Sequence, residues 1–119
     1  MGGSRSVRFP VMTASEFRVL VRGRFDAPDQ ETRAELVAAA DDHDLLRAAF
    51  TEDGTLTYER SLNGFTFRCT VTASGERAEE DARVEGELKA AEVLDNAGWP
   101  YRGLGSSATN MDDIKIRRG

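Results

Sequence analysis

F-R-V-L-V-R-G-R-F, residues 17 to 25, is the stretch from which the rest of the chain is read. Phe17, Val19, Val21 and Phe25 fall on one side of a period-two pattern, and Arg18, Leu20, Arg22 and Arg24 fall on the other. Successive side chains of a strand point to opposite faces, so the pattern predicts a strand with one buried and one cationic side. The apolar side needs a second layer against it. A layered domain is therefore expected, with Arg18, Arg22 and Arg24 sharing one sheet surface.

Downstream, Asp26-Ala27-Pro28 breaks the strand, and Pro28 with Asp29 and Glu31 signals a helix start. That helix is expected over Gln30 to about Asp42, with Leu36, Val37 and Ala40 as its apolar stripe. Leu45 to Phe50 reads as a last turn or a short edge strand, and the strand is the preferred reading. Asp53-Gly54 and Asn63-Gly64 are hairpin-turn signals, bracketing a strand over Thr55 to Arg60. After the second turn Phe65, Phe67, Cys69 and Val71 alternate with Thr66, Arg68, Thr70 and Thr72. Arg68 thus joins a polar face that matches the arginine side of the first strand. Glu76 to Ala97 reads as a long charged helix with Val84, Leu88, Ala91 and Leu94 or Asp95 down one side, weakened at Gly86 and stopped by Gly98 and Pro100. Tyr101 to Thr109 is a last strand interrupted by Gly103 and Gly105; beyond a turn at Met111-Asp112-Asp113, Ile114 to Arg117 alternates as though pairing once more. The order β-α-β-β-α-β is that of an α+β, ferredoxin-like split βαβ fold, an antiparallel sheet with two helices on one face.

With 119 residues the chain fits one domain, able to bury roughly two thirds of its unfolded surface without staples. Residues 1 to 15 show no period and read as a loosely held arm, so the domain is expected over 16 to 119. A lone cysteine, Cys69, excludes an internal disulfide, and no secretory or membrane-spanning stretch is evident, which points to the cytoplasm. A net charge of -5 and a pI near 4.9 argue against nucleic-acid binding unless the cations are segregated onto one face.

R-V-L-V-R-G-R-F-D (18 to 26), H-D-L-L (43 to 46), F-T-E-D-G-T-L-T-Y-E-R (50 to 60), F-T-F-R-C (65 to 69), Y-R-G-L (101 to 104) and A-T-N-M-D-D-I-K-I-R-R (108 to 118) together resemble a family of small uncharacterised actinobacterial proteins, a domain of unknown function. The resemblance covers about residues 17 to 118. It implies a small bacterial cytoplasmic protein and supplies no catalytic role.

Several residues carry chemistry in principle. Asp41-Asp42-His43-Asp44 has metal-ligating residue types, but consecutive helical side chains diverge by about 100°, and no metal site is expected. His43 is the candidate general base, set against a structural role. Cys69, on the apolar side of its strand, reads as a buried, inert thiol. Arg18, Arg22, Arg24 and Arg68 form the sharpest feature: either a solvated layer paired with Glu59, Asp112 or Asp113, or a shallow pocket whose guanidinium forks grip a carboxylate or other anion. Tyr58, Trp99 and Tyr101 are the aromatics expected to stack a planar ligand there. No phosphate loop, nucleophile elbow or dinucleotide fingerprint occurs, and no cofactor is implied. The expected function is binding of an anionic or aromatic small molecule, extending to a cofactor-free cyclase or isomerase; the alternative is a non-catalytic protein-protein interaction module. Leu20 among the arginines makes the open sheet face a homodimer surface.

Overall fold

A computed structural model describes residues 14–112. Its elements run β1 (Ser15–Phe25), α1 (Gln30–Ala38), β2 (Thr55–Tyr58), β3 (Phe65–Ala73), α2 (Ala78–Ala97) and β4 (Tyr101–Asn110), an α+β domain. The four strands form one sheet in the order β2-β3-β1-β4, every neighbouring pair antiparallel. It follows that β1 and β2 run parallel with β3 between them, and β3 and β4 run parallel with β1 between them.

Register explains which face each residue takes. Val19 lies opposite Cys69 and Ala108, and Val21 opposite Phe67 and Ser106. These rows, with Phe17, Phe25, Phe65, Leu56 and Tyr58, make the core face, where Val19, Val21, Phe67 and Cys69 are wholly buried. Both helices cover this face. Leu36 of α1 joins the same buried cluster, and Tyr58 Oη donates to the Leu36 carbonyl at 2.6 Å. Seryl Oγ of residue 106 donates to Glu87 on α2 at 2.6 Å.

Asp29 caps α1, its carboxylate accepting from the Thr32 backbone N–H at 2.8 Å, and that bond lowers its pKa. The helix stops at Ala38 rather than near Asp42, and the chain continues as a tight 3-10 turn over Ala40–His43. The edge strand expected over residues 45 to 50 is not formed. Asp44 caps Leu46 N–H at 2.8 Å and starts a second 3-10 turn, Leu45–Arg47; beyond it Thr51 makes only a single bridge beside Cys69.

The face by which α2 docks also differs from expectation. Ala82, Gly86, Ala90 and Leu94 are buried, whereas Val84 and Leu88 are 51% and 62% exposed. The small residues let the helix lie close against β1: a Cβ at Gly86 would stand 2.5 Å from Val19 Cγ1. Large apolar residues would have held the helix off the sheet. β4 is one continuous strand whose register slips between Arg22 and Arg24, where two residues, Gly103 and Leu104, face Gly23 alone. Gly103 has φ +68°, the left-handed backbone a bulge of this kind uses. The alternation at Ile114 to Arg117 and the arm before Ala14 lie outside the described residues.

Candidate functional site

The face turned away from the helices carries the even-numbered residues of β1. Arg18 lies opposite Thr70 and Thr109, Leu20 opposite Arg68 and Ser107, Arg22 opposite Thr66 and Gly105, and Arg24 opposite Arg102. The sheet therefore gathers Arg18, Arg22, Arg24 and Arg68 on one side, as the first and third strands predict. Arg102 is a fifth cation at the same face that the Gly-interrupted sequence of β4 did not disclose.

Their partners differ. Arg68 Nη1 donates to Thr57 Oγ1 at 3.0 Å, and the Arg18 guanidinium lies 5.3 Å from the Phe50 ring centroid, within cation-π range. Arg102 approaches Asp26 at 3.8 Å. Arg22 and Arg24 form no ion pair and no side-chain hydrogen bond among the described residues. Of the acids expected to neutralise the face, Glu59 and Asp112 pair with none of these arginines, and Asp113 lies outside the described residues.

A depression of about 470 Å³ opens beside this unpartnered pair, lined by Leu20, Arg22, Arg24, Gly103, Gly105 and Ser107. Arg68 lines a separate hollow of about 260 Å³ with Thr57, Thr66 and Leu45, so Arg22 and Arg68 do not share one pocket. Among the described residues neither a carboxylate nor an imidazole lines the larger depression. Its chemistry is that of holding charge, through guanidinium and hydroxyl donors.

The aromatics chosen from sequence go elsewhere. Tyr58 and Trp99 are buried under the helices, their ring centroids 5.9 Å apart, and Tyr101 faces the core rim opposite Phe25. None reaches the arginine face, because Tyr58 pairs with Phe65 on the core side of the register. The aromatic present there is Phe50, which lies in a loop and so left no periodic signal.

His43 is a wedge in the core layer. Its ring stacks on Tyr58 at 5.2 Å and meets Trp99 edge-on at 5.7 Å, while Nδ1 donates to the Leu56 carbonyl at 2.9 Å. It lies on the far side of the sheet from the arginines. Cys69 is fully buried, and burial pushes its thiol pKa up, with Lys89 opposing and Glu85 adding. It keeps its proton and stays inert. Among the described residues no group of histidine, cysteine and carboxylate side chains is disposed to hold a metal ion, and no helix is long and apolar enough to cross a membrane.

An α+β domain with an arginine-rich sheet face that none of the described helices covers is the class that these features define. The chain belongs to the family of unknown function DUF6204, whose model matches residues 12–119. No protein of curated function matches it, and no solved structure does.

Proposed function

We propose that this protein binds an anionic small molecule on the open face of a ferredoxin-like sheet, with Arg22 and Arg24 as the principal contacts and Arg18, Arg68 and Arg102 around them. The ferredoxin-like type is supported by the element order and by the two interleaved units in which a strand of the opposite sense separates two parallel ones. The observation that carries the binding proposal is the absence of any protein partner for Arg22 and Arg24 among the described residues. Residues two apart on one strand face stand about 7 Å apart along the backbone. Like charges at that separation repel by about 0.6 kcal/mol in bulk water and about 2.4 kcal/mol at an effective dielectric near 20. A chain with 21 acidic residues has the means to relieve that repulsion, yet among the described residues its ion pairs go to Arg60, Arg77 and Arg102 and none reaches Arg22 or Arg24. An incoming anion supplies what the chain withholds, and arginine's planar fork suits carboxylates and phosphates.

Binding rather than cyclase or isomerase chemistry is favoured because the lining of the depression offers no general acid or base. The interaction-module alternative is weakened by the same unpaired arginines, which a sealed protein interface would need to neutralise. Homodimerisation through this face belongs to the proposal only in the loaded state, since two bare copies would bring like charges together. A bacterial cytoplasmic setting is supported by the family resemblance, while the single cysteine leaves the compartment open.

A thermal-shift series against organic and inorganic anions tests the proposal. Saturation at about a hundredfold over Kd adds about 2.7 kcal/mol, enough to raise Tm by about 10 °C in a domain of this size. The rise should disappear in R22A/R24A. No stabilisation by any anion overturns the proposal.

A further inference from the structure

We infer that the anion taken by this face is an aromatic carboxylate, bound flat on the glycine floor of the larger depression. The inference rests on the anion-binding proposal above and adds the ligand's shape. Where β1 presents Arg22, the neighbouring strand presents Gly105, and one step further along comes the bulge at Gly103. Nothing stands within 4 Å of where a Cβ would project at either glycine. The two missing side chains leave bare backbone as a floor between the arginine stems and the edge of the sheet.

Leu20 and Ser107, cross-strand partners, close one end of that trough. Its volume of about 470 Å³ falls within the range of about 300–1,000 Å³ typical of sites for ring-bearing small molecules. An inorganic anion would use the guanidinium groups and leave Leu20 and the floor wet. A planar ring covers both. One arginine can then take the carboxylate with its fork while the other lies over the ring, the two contacts for which a guanidinium is suited. Ser107, in the same row as Leu20, offers a hydroxyl to a polar ring substituent.

The test titrates the full chain, by calorimetry, with 2-naphthoate, acetate and inorganic phosphate, and repeats the series on Gly105→Val and on R22A/R24A. Gly105 lacks a left-handed backbone and lies on an exposed strand, so valine is accommodated without strain. The expected result is 2-naphthoate binding at least tenfold tighter than acetate or phosphate, a loss of about tenfold or more in G105V for 2-naphthoate alone, and loss of all binding in R22A/R24A. Equal affinities for the three probes, or undiminished 2-naphthoate binding in G105V, overturn the aromatic class while leaving the anion site standing. Absence of binding by all three, or binding indifferent to R22A/R24A, overturns the anion site itself and the aromatic class with it.

Discussion

Tyr58 joins the sheet to the first helix through one bond. Its hydroxyl donates to the Leu36 carbonyl, one of the terminal carbonyls that α1 cannot satisfy internally, while its ring packs edge-on to Phe25 at 5.3 Å and stacks on His43. Burial, helped by the carboxylates of Asp42 and Glu35, pushes its pKa up to about 12. The folded state thus holds a proton that the unfolded chain releases near pH 10. That contribution to stability is complete below about pH 10 and is lost as pH rises toward 12. Tyr58→Phe should cost about 1–3 kcal/mol at neutral pH, by leaving a buried carbonyl unsatisfied, and should flatten the alkaline fall in urea midpoints. An equally steep fall in the variant would contradict this assignment. At this scale the sequence was most informative where alternation was strict: Arg18, Arg22, Arg24 and Arg68 share a face because each sits on an even step of a clean period-two run. Tyr58 and Trp99 were misplaced because their side depended on the pairing register of β2 and on the docking of a loop, and neither is written locally.

In α2 the docking face is chosen by size more than by hydrophobicity. Val84 and Leu88 gave the stronger apolar signal, yet Ala82, Gly86 and Ala90 are the residues that touch the sheet. A 3.6-residue period identifies a helix, but a helix poor in apolar residues carries two competing stripes, and only the close approach to Val19 decides between them. Gly86→Ala tests the decision. Helix propensity favours alanine by about 1 kcal/mol, whereas the overlap with Val19 costs about 1–3 kcal/mol in a packed core. A net loss in stability by chemical denaturation is expected, and a gain of the full propensity difference would contradict the docking. Leu88→Lys should stay within about 0.5 kcal/mol of the parent, whereas Ala90→Lys should be severely destabilising. The short 3-10 turn at Leu45–Arg47 was ambiguous for a related reason: six residues show no period that separates a turn from a strand, and the Asp44 cap starts the turn.

Across the whole molecule, charge is distributed against its average. A chain of net charge -5 gathers five arginines on one sheet face, four of them exposed and Arg68 half-buried, with Glu16 the acid of β1 on that face while most of the others lie in α2 and the loops. Such segregation steers anions toward the face and falls off with ionic strength. The α+β class, the antiparallel sheet and the face of it that carries the core followed from the alternating strands and the turn residues between them. The glycine-floored depression did not, because it depends on a register slip between two strands distant in sequence. An amide and arginine side-chain NMR titration of the full chain with a carboxylate at low salt tests anion binding at this face. The largest shift changes should fall on Arg22, Arg24 and Gly105 and shrink as salt is added. Changes centred on α2 or on the His43, Tyr58 and Trp99 cluster, or none at saturating carboxylate, would contradict it.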